Sequence, residues 1–272
     1  MASSNPVFNN SPAFSSRPST AAQLARTSAP TMTPAELDAL YNEPSATAAQ
    51  TDRMSYEDTI VKIVISFAIL LGGAVVGWMV PILFLPAMIA GFVLALVNIF
   101  KKKPSPALVL SYAAVEGVFV GGISSYFSQA FGGIVPQAVL GTLAVVGITL
   151  ALFASGKVRA SKRATKIFMV AMFGYLAFSL INFGLMAFGV TNSMFGLRDT
   201  PTLAGIPLGV ILGVLVIFMA AYALVLDFTN IQVGVQRGAP RVYGWTAAFG
   251  IMITVVWLYL EILRMLAILR SN

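Results

Sequence analysis

The sequence predicts an all-α polytopic membrane protein, and composition, the spacing of apolar runs and the placement of basic residues all support this class. Hydrophobic residues make up 58% of the 272 residues and charged residues only 10%, whereas a soluble domain has roughly 25% charged residues. Apolar runs near the length of about 20 residues that a membrane-spanning helix needs recur after residue 53. Most of the basic residues lie in the short connections between these runs, as they do in membrane proteins.

The first 53 residues differ in composition from the rest of the chain. They are rich in Ser, Pro, Ala and Thr, contain few large apolar residues, and lack the apolar core of a signal peptide. We therefore predict a disordered cytoplasmic tail over residues 1–53 and a transmembrane domain over residues 54–272.

Seven apolar runs predict seven transmembrane helices. The second run follows Pro81 closely, and Pro86 is expected to bend its first turn. The predicted spans are 60–80, 82–100, 107–130, 135–154, 167–190, 206–228 and 245–266.

The connections predict the orientation of the chain. Alternate connections contain ten basic residues, whereas the opposite connections contain one, Arg198. Because positively charged connections stay on the cytoplasmic side, we expect a cytoplasmic N-terminus and, after seven spans, an external C-terminus. The ten basic residues are Lys101, Lys102, Lys103, Lys157, Arg159, Lys162, Arg163, Lys166, Arg237 and Arg241.

Glycines at four-residue spacing predict faces where helices pack closely. Such spacing lets two backbones approach each other inside a membrane. It occurs at Gly73 and Gly77, at Gly117 and Gly121, and at Gly205, Gly209 and Gly213.

Three carboxylates lie within the predicted spans: Glu116, Asp227 and Glu261. Estimates of the cost of an ionisable group in lipid run from about 3 to beyond 10 kcal/mol, so such residues are functional candidates. Structural alternatives remain for each. Glu261 could pair with Arg264 on the same helical face. Glu116 could pair with the nearby lysines, and Asp227 could be solvated near the membrane interface.

The depth of Glu261 limits its contacts. On a straight helix beginning at Trp245, Glu261 lies about 24 Å along the axis. It can meet Asp227 only if the seventh helix begins on the cytoplasmic side of the interface.

The sequence contains no Cys and no His. It therefore lacks the residues of disulfides, of the usual zinc and haem sites, of thiol nucleophiles and of His-based catalytic triads. A retinal protein needs a lysine in its last helix, and this chain has none after Lys166. An aspartyl protease needs paired Asp residues, and Asp227 is the one Asp in a predicted span. We expect no enzyme, no cofactor and no nucleic-acid partner.

Several segments resemble the transmembrane Bax inhibitor motif family, which includes YccA-like bacterial membrane proteins. They are the segment from Tyr222 to Asp227, the segment Leu258-Tyr259-Leu260-Glu261 with the following Leu263-Arg264, and the helix that contains Glu116-Gly117 and Gly121-Gly122-Ile123-Ser124. The resemblance covers residues 52–272 and is most specific in residues 245–270.

The resemblance implies six helices around a central seventh and a pH-sensitive calcium leak across the bacterial plasma (inner) membrane. Asp227 and Glu261 match the two acids that share a hydrogen bond and form the family's proton sensor and gate, with calcium as the permeant ion that they contact. Glu116 would be an acid of the pathway. Lys101, Lys102 and Lys103 match the family's basic latch, and Arg264 is a further candidate for the latch.

A carboxylate pair can sense pH without histidine. Two carboxylates held close in a low dielectric cannot both ionise easily, so the pair retains one proton, and losing it leaves charge that attracts a hard cation such as calcium.

Two other functions stay open. One is a proton-coupled secondary transporter, although no internal repeat is evident among the spans. The other is a non-transporting regulator of membrane proteolysis or stress responses that binds a membrane protein partner. The sequence does not define the oligomeric state.

Overall fold

Seven long helices dominate the described part of the chain. The computed structural model describes residues 33, 34, 38, 52–191, 193–199, 202–203 and 205–271. The chain divides into two units, residues 1–47 and 48–272, and all described residues except the first three belong to the second unit. The predicted disordered tail of residues 1–53 lies almost wholly outside the described residues.

All seven helices are long and apolar enough to cross a membrane, which confirms the predicted fold class. They are α1 (Tyr56–Met79), α2 (Phe84–Phe100), α3 (Pro106–Ala130), α4 (Ile134–Ala154), α5 (Lys162–Ala187), α6 (Leu208–Gln236) and α7 (Gly244–Ser271). Single turns of 3₁₀ helix occupy Pro81–Leu83, Gly196–Arg198 and Arg241–Tyr243. Two short antiparallel strands, β1 (Thr202–Leu203) and β2 (Ile206–Pro207), lie just before α6.

The largest error in the predicted boundaries is at the end of α6. This helix continues from the predicted end at residue 228 to Gln236. The added turns include the polar residues Asn230 and Gln232 and so fall below the hydropathy of a membrane span. They remain helical because Ile231 and Val235 pack into a small core with Met54 and Ile251. Asp227 is therefore inside α6 rather than at its end.

Helices α1 and α3 pack with their backbones in close contact, as their glycines predict. A methyl group on Gly73 or Gly77 would overlap the backbone of Ala114 or Val118 in α3, and one on Gly121 would overlap Ala74 in α1. The prediction is confirmed for these two helices. In α6, Gly209 and Gly213 face side chains of α7, but Gly205 lies in the turn before the helix with open space around it.

Helix α7 is the central element. It is the most deeply buried of the seven, with 61% of its apolar span buried, against 6% for α5. It packs against α1, α3, α4 and α6, and its Met252, Leu258 and Leu263 belong to the main core. The predicted central position of α7 agrees with this packing, but among the described helices only these four pack extensively against it; α2 leans on α3, and α5 is the most peripheral.

The helices alternate in direction and give the bundle two ends. The basic end contains the start of α1 and the connections 100–106, 154–162 and 236–244, whereas the opposite end contains 79–84, 130–134, 187–208 and the end of α7. A clamp holds the basic end together. The Met54 amide donates to the Ala239 carbonyl at 2.7 Å, and Asp58 of α1 pairs with Lys62 and with Arg241, the latter at 2.7 Å.

Candidate functional site: two carboxylates at the central helix

Asp227 lies against the basic half of α7. The Thr254 hydroxyl of α7 donates a hydrogen bond of 2.7 Å to its Oδ2. Gly250, one turn earlier, leaves space for the carboxylate, since a methyl group there would come within 3.3 Å of Oδ1. Asp227 thus accepts a hydrogen bond from one neutral side chain among the described residues, Thr254. It takes part in none of the ion pairs found among those residues.

A cavity of about 500 Å³ extends from Asp227 to the basic end of the bundle. Asp227 is the one carboxylate among its described lining residues, and the exposed Lys101 and Lys102 lie at its rim. Hydroxyl and amide groups provide further oxygen atoms. The walls include Met54, Asn98, Pro104, Val109, Asn230, Ile231, Gly234, Tyr243, Thr246, Ala247, Phe249 and Gly250.

The oxygen atoms around Asp227 suit a permeant cation better than a permanently bound one. A resident calcium ion takes six to eight oxygen ligands, several of them carboxylates. No group of three or more acidic, His or Cys side chains comes together in the described residues. Asp227 can therefore attract a cation or bind a proton but does not form a closed metal site.

Glu261 has opposite surroundings. It is 1% exposed, accepts a hydrogen bond of 2.7 Å from the Tyr175 hydroxyl, and pairs with Arg264 at 2.9 Å and with Arg198 at 3.4 Å. Arg198 is itself 3% exposed and also donates to Tyr175 and Ser179, each at 3.1 Å. Glu261 is therefore neutralised inside a network of charged hydrogen bonds that joins α5, α7 and the connection before α6.

The expected hydrogen bond between Asp227 and Glu261 is absent from this structure. Thr254, the donor to Asp227, precedes Glu261 by seven residues, which is two helical turns or about 10.5 Å along α7. The buried Leu258 and the Tyr259–Ser124 hydrogen bond of 2.6 Å lie on the turns between them. The structural alternative, a Glu261–Arg264 pair, is present and gains Arg198 as a third member.

The other predicted residues lie elsewhere. Glu116 is half-buried between α2 and α3, next to Tyr112 and close to Gly91, where a methyl group would come within 2.9 Å of its Oε2. It does not line either cavity at the two ends of α7. Among the ion pairs of the described residues, none involves the exposed Lys101, Lys102 or Lys103. Their roles as pathway acid and latch remain predictions.

The sequence points to Arg264 as a partner of Glu261, but not to the other partners of the two carboxylates. Arg198 is the one basic residue of the connections on its side, and this departure from the charge pattern is the signal that marks it. Lys62, which lies inside the first apolar span and is 7% exposed, pairs with Asp58 and with neither of these carboxylates. Nothing in the sequence distinguishes Thr254 or Tyr175 from other hydroxyl residues in apolar helices.

Comparison with known proteins supports the resemblance and extends it. No curated protein matches the chain. The family model described as Bax inhibitor 1 like matches residues 5–271, and so includes most of the segment before residue 52 as well as all seven helices. The chain belongs to the Bax inhibitor 1 like family.

Proposed function

We propose that this membrane protein is a gated leak pathway for cations, with calcium as the permeant ion and Asp227 as the acid that makes its conductance depend on pH. The observation that carries the proposal is the position of Asp227, a single carboxylate at the inner end of a cavity of about 500 Å³. Hard cations such as calcium prefer oxygen ligands, and a carboxylate in a low dielectric attracts them strongly. The choice of calcium comes from the family resemblance.

The charge pattern supports an orientation for the pathway. With ten basic residues on its connections, the basic end is cytoplasmic under the positive-inside rule, in a bacterial plasma membrane. The cavity is then a cytoplasmic vestibule, and the Glu261 network lies toward the external side. The rim lysines Lys101 and Lys102 would lower the local cation concentration and so limit the rate of the leak.

The Glu261 network supports a closed external half. A cation cannot replace Arg198 and Arg264 at this carboxylate without breaking two ion pairs and the hydrogen bond from Tyr175. Opening therefore requires the connection that contains Arg198 to move away from α7. In this proposal Glu261 belongs to the gate, and Asp227 alone is the proton-sensing group.

Calcium flux into proteoliposomes tests the proposal. We expect flux to fall as pH is lowered, because protonation removes the charge that attracts the ion, and we expect Asp227→Asn to reduce flux by at least about tenfold and to flatten its pH dependence. Glu57→Gln is the matched control, since Glu57 is an exposed acid at the same end of the bundle, outside the cavity. Unchanged flux and pH dependence in Asp227→Asn would contradict the proposal.

A proton-coupled carrier is a second candidate, favoured by the cavity that reaches Asp227 from one end of the bundle. A carrier facing one side of the membrane has this shape, and its acid loads and releases protons. Uptake that saturates with substrate and needs an imposed pH gradient would favour the carrier, whereas a passive flux proportional to the calcium gradient would favour the leak. No flux of either kind would favour a non-transporting regulator.

A further inference from the structure

A second cavity, of about 350 Å³, lies between α5, α7 and the 3₁₀ turn before α6. We call it the α5–α7 groove. Its lining is mixed. We refer to the polar lining residues as the polar wall; they are Tyr175, Ser179, Asn182, Arg198 and Arg264. We refer to the apolar lining residues as the apolar wall; they are Phe183, Met186, Met194, Phe195 and Trp257.

The polar wall presents positive charge. Two guanidinium groups and no carboxylate are among the described residues that line the groove. Glu261 lies behind the guanidinium groups with 1% exposure, and Asp199 accepts a hydrogen bond of 3.2 Å from the Phe195 amide of its own turn. Arg264 keeps 28% of its side chain exposed, so donors remain on the groove side of the network.

Planar guanidinium groups match the oxygens of a phosphate group. Arg binds such oxyanions with parallel hydrogen bonds, and the Ser179 hydroxyl can add another donor. Buried positive charge that is only partly neutralised is costly in a membrane, so an oxyanion in the groove would stabilise the network. The chemistry of the polar wall is that of a phosphate site.

The apolar wall points to a lipid as the source of that phosphate. Helix α5 is the least buried of the seven, and Phe183 and Ile181 beside the groove are strongly exposed, so the groove faces the surface that contacts lipid. A free phosphate ion would leave the apolar wall exposed. A phospholipid would place its phosphate near Arg264 and its glycerol and upper acyl carbons against Trp257, which lies two turns further from that end of α7.

We infer that the α5–α7 groove is a binding site for the headgroup of an anionic phospholipid, with Arg264 and Arg198 as the phosphate contacts. The lipid belongs to the leaflet at the end of the bundle opposite the basic end. This site is separate from the Asp227 cavity. It does not depend on ion conduction, because binding is measured without flux.

Tryptophan fluorescence offers a direct measurement, since Trp257 lines the groove and the chain has only two other tryptophans. In a protein with Trp78→Phe and Trp245→Phe, Trp257 reports quenching by lipids with brominated acyl chains. The protein is reconstituted in phosphatidylcholine vesicles that contain a minor fraction of one brominated lipid, either phosphatidylglycerol, phosphatidylcholine or diacylglycerol. We expect a preference of about fivefold for phosphatidylglycerol over phosphatidylcholine, the value of one basic residue near an anionic headgroup.

Single substitutions show which residue is responsible for the preference for phosphatidylglycerol. Arg264→Gln should reduce it to near equality, while Arg264→Lys, which keeps the charge but loses the planar fork, should retain part of it. Arg270→Gln is the matched control, because Arg270 lies on the same helix but contacts Gly132 and Gln137 outside the groove. It should keep the full preference. If Arg264→Lys and Arg270→Gln keep a preference, changing a residue of α7 does not by itself misfold the protein. The lost preference in Arg264→Gln is then due to the missing guanidinium group.

Three outcomes would overturn the inference. Equal quenching by brominated diacylglycerol and phosphatidylglycerol would mean that the phosphate is not recognised. A preference that survives Arg264→Gln would place the lipid elsewhere. If inorganic phosphate abolished the preference for phosphatidylglycerol and chloride of equal ionic strength did not, the ligand of the groove would be a free phosphate ion instead of a lipid.

Discussion

The two halves of α7 hold their carboxylates in opposite ways. In the basic half, Asp227 has one neutral donor, Thr254, and faces a cavity of about 500 Å³. In the other half, Glu261 is 1% exposed and is bound by Tyr175 and two guanidinium groups. The first carboxylate can exchange a proton or a cation with little rearrangement, whereas the second must break several strong bonds to do so.

This difference shows that neighbours, and not the acid itself, determine what an intramembrane carboxylate can do. Both acids lie in apolar helices and look alike in the sequence. One borders a cavity, and the other joins three structural elements. The contrast can be measured as stability, as coupling between residues and as response to small changes.

The largest effect is expected from neutralising Glu261. Glu261→Gln leaves the buried Arg198 without its carboxylate partner, which should lower the free energy of unfolding by about 3 to 5 kcal/mol. Asp227→Asn keeps a hydrogen-bond acceptor for Thr254 beside an open cavity and should change it by less than about 1 kcal/mol. Unfolding in mixed detergent micelles, followed by tryptophan fluorescence, measures both. Equal losses would remove the contrast between the two halves.

Coupling between Arg198 and Glu261 should be the next largest effect. In a double-mutant cycle with Arg198→Met and Glu261→Gln, we expect a coupling free energy of about 2 kcal/mol, because each side chain is the other's buried partner. Replacing both should therefore cost much less than the sum of the single changes. The same cycle with the exposed Arg270 in place of Arg198 serves as the control. Additive single changes would mean that Arg198 does not hold Glu261.

The architecture was accessible from the sequence because it depends on local properties. Apolar length defines seven helices, and four-residue glycine spacing identifies the contact between α1 and α3, in which Gly73 and Gly77 meet the backbone of α3. Hydropathy missed the end of α6 because residues 229–236 mix polar residues with the apolar Ile231 and Val235, which are buried only when Met54 folds over them.

The candidate site was accessible only in part, because its partners come from distant segments. The acids stand out in apolar helices without any knowledge of contacts. Of their partners, only Arg264 can be identified from helical spacing; Arg198 lies in an irregular connection, and its 3% exposure results from how that connection folds against α5 and α7. The pairing of Asp227 with Thr254 rather than Glu261 depends on which turn of α7 faces α6, and linear spacing leaves that open.

A smaller effect is expected at Thr254. Thr254→Val keeps the shape of the side chain but removes the donor to Asp227, so we expect a loss of about 1 kcal/mol in the free energy of unfolding. Thr254→Ser keeps the hydroxyl and is the matched control. The valine variant should have a smaller effect in an Asp227→Leu background, where only the longer bond of the Thr254 hydroxyl to the Gly250 carbonyl, 3.1 Å, is left to lose. A full loss in that background would assign the effect to packing instead of the hydrogen bond.

The smallest effect, and the sharpest test of the separation, is the coupling between the two carboxylates themselves. Because Asp227 contacts α7 at Thr254, two turns before Glu261, the stability changes of Asp227→Asn and Glu261→Gln should add within about 0.5 kcal/mol. A shared hydrogen bond or shared proton would instead couple them by more than about 1 kcal/mol. The Arg198–Glu261 cycle provides the positive control in the same protein. Strong coupling would mean that α6 and α7 can slide until the two acids meet, and the separate roles proposed for Asp227 and Glu261 would then merge into one paired sensor.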